Sequence, residues 1–136
     1  LMQEEICAAV SISSPLANKN SISLSELKDE NFAVASKGAV RMILDLYCQK
    51  TGFRPHIAYE TPDTNSIVSL IACNLAVTLV PSKSWKSILS DKIKLLHIHT
   101  PKIERSIYMG IRENGYISRY TKDFIRFAAE FYHNLS

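Results

Sequence analysis

The chain has 136 residues, of which 46% are hydrophobic and 21% charged, and its net charge is +3. These values are typical of one globular domain and exclude a disordered tail, a collagen-like fibre and a low-complexity spacer. No apolar run reaches about 18 residues, so the sequence predicts no membrane-spanning helix. The basic residues are scattered from Lys19 to Arg126, without the clustered stripe that is typical of nucleic-acid binding.

Short apolar runs alternate with segments whose apolar residues recur at helical spacing. Positions 40, 43, 44, 47 and 48 follow the helical period, and Gly52 stands where a left-handed C-cap ends such a helix. Ser23 and Glu26 have the spacing of a capping box. In chain order, we predict a strand at 6–12, a helical turn at 24–27, a strand at 32–35, a helix from Gly38 to Gly52, a strand at 56–59, a helix at 64–73 ended by Asn74, a strand at 75–80, a short helix from Pro81 through Leu89, strands at 93–98 and 106–111, a turn at Asn114–Gly115 and a helix capped by Ser118.

The last predicted helix carries an aromatic stripe. Phe124, Phe127 and Phe131 keep helical spacing, which is typical of the side of a helix that packs on a core. We therefore predict that these rings are buried. The alternation of strands and helices along the whole chain predicts an α/β fold, with a mostly parallel sheet flanked by helices.

Two predicted helices begin directly after a strand, and these two junctions carry the candidate binding residues. In an open parallel sheet, ligands bind beyond the carboxyl ends of the strands, where the free amides of helix N-termini favour an anion. We therefore predict a site for a small anionic metabolite that is bound without being transformed. Its candidate residues are Ser36, Lys37, Gly38, Pro62, Asp63 and Thr64. Each of these polar residues also has an alternative role. Ser36 and Asp63 could act only as helix N-caps, and the side chain of Lys37 could lie in solvent.

The sequence gives less support to other kinds of site. His97 and His99 lie on one face of a predicted strand, but no third ligand is near them in sequence. Zinc sites need three or four ligands, so we predict no metal site. The sequence contains no GxSxG motif, no paired carboxylates on one element and no glycine-rich phosphate loop. It therefore predicts neither an enzyme nor a cofactor-binding protein.

The three cysteines, Cys7, Cys48 and Cys73, are an odd number and form no CxxC pair. A small secreted domain normally has an even number of cysteines in a disulfide framework. We therefore predict reduced thiols that pack as small hydrophobic residues, in a cytoplasmic protein.

Several motifs, in the same order, resemble those of LysR-type transcriptional regulators. The match includes Gly52-Phe53-Arg54-Pro55-His56-Ile57, similar to the family's G-F-x-P-x-I, and 69–81, similar to its l-V-a-a-G-l-G-v-a-l-l-P signature. Asn74 and Ala76 replace the two glycines of that signature. The other matching segments are 13–17, 22–27 and 31–34, together with Tyr116-Ile117-Ser118 before the last helix.

This resemblance implies a two-lobed effector-binding domain of the type 2 periplasmic-binding-protein class. Residues 14–104 would form the complete second lobe, and residues 1–13 and 105–136 the hinge strands and part of the first lobe. The effector would bind between the lobes and alter promoter binding by a winged helix-turn-helix that this chain lacks. The family also implies a homodimer or homotetramer of the full-length protein, whereas the absence of a membrane partner is predicted from the lack of a long apolar run. The alternative is a solute-binding protein of a transport system with the same fold.

Overall fold

The computed structural model describes residues 1–112 and 115–135. These residues form seven strands, three α-helices and two short 3-10 helices. In chain order, the elements are β1 (Met2–Ser11), a 3-10 helix (Pro15–Asn18), β2 (Ser21–Ser23), a 3-10 helix (Leu24–Leu27), β3 (Asn31–Val34), α1 (Ala39–Thr51), β4 (His56–Glu60), α2 (Thr64–Ala72), β5 (Thr78–Pro81), β6 (Ile93–Thr100), β7 (Glu104–Ile107) and α3 (Arg119–Leu135).

The long strand β1 lies at the centre of the sheet and runs against its neighbours. It pairs antiparallel with β5, β6 and β7. The pairs β2–β6 and β3–β4 are parallel, and a parallel bridge from Phe32 to Val77 connects β3 to the start of β5. Within the described ranges, β1 is thus the one strand that runs in the opposite direction.

The predicted α/β class is confirmed, but the sheet is mixed rather than mostly parallel. Most strands share one direction, as predicted, yet the central position of β1 makes three of the pairings antiparallel. The sequence could not indicate this, because a strand buried on both faces has the same apolar pattern in either direction.

Local signals explain where several elements begin or end. Gly52 ends α1 with a φ of 101°, and Asn74 follows α2 with a φ of 59°; both are left-handed conformations, which glycine and asparagine tolerate best. The backbone N–H of Ser23 donates to the Glu26 carboxylate at 2.7 Å, as the capping box predicts. The Ser118 hydroxyl accepts from the backbone N–H of Thr121 at 3.1 Å, so the predicted start of α3 is also confirmed.

The core has two parts because helices cover both faces of the sheet. Ile6, Ala8 and Val10 of β1 pack in one buried cluster with Leu44 of α1, whereas Ala9 packs in a second cluster with residues of α2. This alternation follows from the two-residue period of a strand.

Residues 82–88 form a series of turns where a short helix was predicted. The N–H groups of Ile88 and Leu89 both bond to the Trp85 carbonyl, at 3.0 and 3.2 Å, so no continuous helical ladder forms. The strand predicted at 106–111 is β7, which begins two residues earlier and ends at Ile107. The short strand β2 was not predicted. The predicted turn at Asn114–Gly115 lies partly outside the described residues.

The prediction that α3 contributes aromatic rings to the core is wrong. Phe124, Phe127 and Phe131 are 61%, 63% and 50% exposed, and Ala128 is the residue of α3 that is buried. Helical spacing shows that these rings share one side of the helix, but whether another element covers that side depends on the tertiary arrangement. In the described part of the chain, none does so.

The prediction that the cysteines are free thiols packed as small hydrophobic residues is confirmed for two of the three. Cys7 and Cys48 are buried, and Cys73 is exposed at the end of α2. Burial is the main cause that raises the pKa of the Cys7 and Cys48 thiols to about 12, so both are protonated at neutral pH. Among the described helices, none is both long and apolar enough to cross a membrane.

Candidate functional site

A cavity of about 210 Å³ lies where the N-terminus of α1 approaches the loop before α2. The last residue of β3, Val34, and the first residue of β5, Thr78, line it together with Trp85 and Arg105. The lining consists of Val34, Ala35, Lys37, Gly38, Ala39, Val40, Arg41, Leu44, Pro62, Thr64, Ile67, Thr78, Leu79, Trp85 and Arg105. The two junctions that the sequence analysis singled out therefore open onto one space.

Four of the six candidate residues line this cavity: Lys37, Gly38, Pro62 and Thr64. Ser36 is exposed and does not line it. Asp63 acts as the N-cap of α2, since its carboxylate accepts from the backbone N–H groups of Asn65 and Ser66 at 3.3 and 3.2 Å. A hydrogen bond from the Ser66 hydroxyl, at 2.6 Å, is the main cause that lowers the pKa of Asp63.

All the charged side chains in the described lining are basic. Lys37, Arg41 and Arg105 line the cavity, and no carboxylate does so among the described residues. Gly38, the N-cap residue of α1, offers no side-chain cap, whereas the Asp63 carboxylate already accepts from amides of α2. The first-turn amides of α1 are consequently more available to an anion than those of α2.

Arg41 holds the first junction in place. Its guanidinium donates to the Ala35 carbonyl at 2.9 Å and to the Glu60 carboxylate at 3.1 Å, and it pairs with Asp45 at 3.2 Å. These bonds fix the end of β3 relative to α1 and β4. Two carboxylates thus share the charge of Arg41, while no carboxylate partner of Lys37 is found in the described ranges.

Arg105 is held by Glu4, whose side chain is fully buried. The Glu4 carboxylate accepts from the Arg105 guanidinium and the Ser84 hydroxyl, both at 2.7 Å, and from the backbone N–H groups of Ser84 and Lys83 at 2.9 and 3.1 Å. Burial by itself raises the pKa of Glu4, but these bonds and the charge of Arg105 outweigh it and lower the pKa below its usual value.

Three further polar or aromatic lining residues, Arg41, Trp85 and Arg105, were not predicted from the sequence. Arg41 had a local signal, because Asp45 lies four residues further along a predicted helix. Trp85 lies in the segment that was predicted as a helix, and Arg105 reaches the cavity from β7. Neither position carries a local pattern that connects it to the two junctions.

Substituting Gly38 by alanine should lower the free energy of unfolding by about 1–3 kcal/mol, because its φ of 112° and ψ of 173° are nearly exclusive to glycine. Urea denaturation followed by circular dichroism measures this change. The matched control is Gly110→Ala, where an added Cβ meets nothing within 4 Å and φ is not positive; it should change stability by less than about 0.5 kcal/mol. Equal losses in the two variants would contradict the strained geometry.

Comparison with known proteins identifies similar sequences. The family model described as LysR substrate binding domain matches residues 1–132. Transcriptional dual regulator GltC of Bacillus subtilis (strain 168) is 26% identical over 137 residues, covering 99% of this chain and 45% of GltC. The uncharacterized HTH-type transcriptional regulator YwbI of the same organism is 31% identical over 121 residues, covering 87% of this chain and 40% of YwbI. The chain thus spans less than half the length of these two relatives.

Solved structures show the same fold. The effector-binding domain of QuiR, in complex with shikimate, superposes with a TM-score of 0.82 at 26% identity, covering 98% of this chain and 64% of that chain. HinK, a LysR family transcriptional regulator from Pseudomonas aeruginosa, has a TM-score of 0.83 at 14% identity, with coverages of 98% and 46%.

Proposed function

This chain belongs to the LysR substrate-binding domain family, and on that premise we propose that it senses a small anionic metabolite for a transcriptional regulator. The observation that carries the proposal is that Lys37 lines the cavity at the two strand-to-helix junctions with no carboxylate partner among the described residues, beside two arginines that are held by carboxylates outside the lining. The effector binds there without chemical conversion. It changes promoter binding by a DNA-binding segment that lies outside this chain.

The chemistry of the lining supports an anionic effector. Lys37 supplies a charge that no described carboxylate neutralises, and the first-turn amides of α1 can donate to the same group. Thr64 supplies a hydroxyl from the opposite junction, and Trp85 an apolar wall. The similar QuiR domain binds shikimate, a carboxylic acid, which fits this combination of a basic rim and an apolar wall.

The relatives favour a regulator over a solute-binding protein of a transport system, because the curated proteins reported above are described as transcriptional regulators. In such a protein the effector shifts a conformational equilibrium only by its different affinities for the two states. We further propose that the full-length protein is a cytoplasmic homodimer or homotetramer.

The division into lobes belongs to the same proposal. Residues 14–104 form the second lobe, and residues 1–13 and 105–136 belong to the first lobe and its hinge strands. The pairing of β1 supports its role as a hinge strand, since its first half pairs with β7 and its second half with β5 and β6 of the second lobe. The exposed aromatic side of α3 is then a surface that further elements of the first lobe would cover.

Ligand binding tests the proposed function directly. Small carboxylates, amino acids and inorganic phosphate are screened by thermal shift, and hits are titrated by the fluorescence of Trp85, the single tryptophan of the chain. Lys37→Gln should weaken the tightest anion about tenfold or more, because a charge-assisted hydrogen bond contributes about 1.5–3 kcal/mol. Thr64→Ala should weaken it severalfold.

Lys28→Gln is the matched control, because Lys28 is exposed and lies outside the cavity. It should leave the affinity unchanged. The proposal fails if no anion binds, or if the tightest anion binds Lys37→Gln and Thr64→Ala as tightly as it binds the unsubstituted chain.

A further inference from the structure

Three side chains with metal-binding chemistry converge at the border between β1 and β6. Glu5 and Cys7 are two residues apart on β1, so they share one face of the strand. In the antiparallel register Ala8 lies opposite Leu96, and one step further along it Cys7 lies opposite His97. One ligand atom from each of Glu5, Cys7 and His97 lies within 4.8 Å of the others.

From this juxtaposition we propose that Glu5, Cys7 and His97 bind a transition-metal dication, with Zn²⁺ the preferred ion. Thiolate and imidazole are the ligands that Zn²⁺ favours, whereas Mg²⁺ and Ca²⁺ prefer oxygen donors alone. One carboxylate, one imidazole and one thiolate make three protein ligands, which leaves a fourth tetrahedral position open to water.

Glu5 and His97 require little movement to accept the ion. The His97 Nδ1 lies 3.0 Å from both carboxylate oxygens of Glu5. With metal–ligand bonds of about 2.0–2.1 Å, two neighbouring N and O ligands of a tetrahedral ion are about 3.3 Å apart. The ion can therefore take the place of the hydrogen bond between these two groups.

The three ligands differ in burial and form a site that is open to solvent on one side. Cys7 is 2% exposed and lies at the bottom, whereas the side chains of Glu5 and His97 are 26% and 66% exposed. When the metal–sulfur bond forms, the thiol proton leaves to solvent. The bound ion would cross-link β1 to β6, two strands whose ligand residues are about 90 positions apart, so it should stabilise the fold.

This site is independent of the anion-binding proposal, because none of its three residues lines the cavity. The distance in sequence between the ligands explains why no metal site was predicted. In the sequence, His97 has only His99 near it as a second possible ligand. The Nδ1 of His99 lies 2.7 Å from the Thr100 hydroxyl. The other ligands come from a strand that lies far away in sequence.

Titration of the metal-free chain with Co²⁺ and Zn²⁺ tests the proposal. Co²⁺ should produce the thiolate-to-cobalt charge-transfer absorption and the intense visible bands of a tetrahedral ion, at one ion per chain. Zn²⁺ should displace it, and excess Mg²⁺ should not. Cys7→Ser should abolish the charge-transfer band, and His97→Ala should weaken Zn²⁺ binding about tenfold or more.

The chain offers a matched control for each of these variants. Cys73→Ser replaces an exposed cysteine outside the cluster, and His99→Ala replaces the next histidine on the same strand; both should bind Co²⁺ and Zn²⁺ as the unsubstituted chain does. His97 is largely exposed, so His97→Ala tests the site even if Cys7→Ser fails to fold. Absence of the charge-transfer band in the unsubstituted chain, or equal loss in the controls and the cluster variants, overturns the proposal.

Discussion

Replacing Phe32 by alanine should lower the free energy of unfolding by about 3–5 kcal/mol, the usual cost of removing a buried phenylalanine ring. Phe32 is fully buried in the larger core cluster, and β3 carries it beside β4 and the start of β5. Its removal leaves a cavity between sheet and helix that the fixed strands cannot close. Urea denaturation, followed by circular dichroism and by Trp85 fluorescence, measures the loss.

Phe127→Ala is the matched control for this variant, since it removes the same ring from a position that is 63% exposed. Its effect on the stability of this chain should stay within about 0.5 kcal/mol. The comparison also tests the finding that α3 turns its aromatic side outward. A loss at Phe127 as large as that at Phe32 would show that this side of α3 is covered after all.

Replacing Arg105 by methionine should destabilise the chain by about 3 kcal/mol, because it leaves the carboxylate of Glu4 buried without its counter-charge. The loss is at the lower end for a broken buried pair, since Ser84 and the Lys83 backbone still donate to Glu4. Lys102→Met is the control. Lys102 and Glu104 form an ion pair whose side chains are 67% and 38% exposed, and exposed pairs contribute about 1 kcal/mol or less. Similar losses in both variants would contradict the buried pair.

The ion pair between Glu4 and Arg105 also makes the free energy of unfolding depend on pH. The folded state lowers the pKa of Glu4, so the stabilisation by the ionised carboxylate is fully present above the ordinary carboxyl pKa and is lost as the pH falls through the lowered value. The stability difference between the unsubstituted chain and Glu4→Gln should therefore narrow as the pH falls below about 4. A difference that stays constant from neutral to acidic pH would contradict this account.

Most helices and strands were predictable because their signals are local. The period of α1, the glycine at its end and the cap of α3 all involve residues at most four positions apart. The errors occurred where local signals conflict or are absent. Pro81 and the apolar residues that follow it suggest a helix, but the structure forms turns over 82–88, and the three residues of β2 are too short to show any period.

The candidate site was partly predictable for a related reason. A strand followed at once by a helix places its junction at the carboxyl edge of a parallel arrangement, so both junctions could be assigned to one crevice from the sequence. The partner of each polar side chain could not be assigned in this way. Asp63 caps α2 and Arg105 joins the cavity from β7, and only the packed structure distinguishes such roles.

By itself, the sequence determined the α/β class, most element boundaries, the family resemblance and the two junctions that border the cavity. Tertiary structure alone decided the direction of β1, the exposure of the α3 aromatic rings and the convergence of distant side chains. Glu4 and Arg105 are 101 residues apart, and Glu5 and His97 are 92 apart. The physical reason is that hydrogen bonds and burial depend on distance in space, whereas periodicity and capping report only on neighbours along the chain.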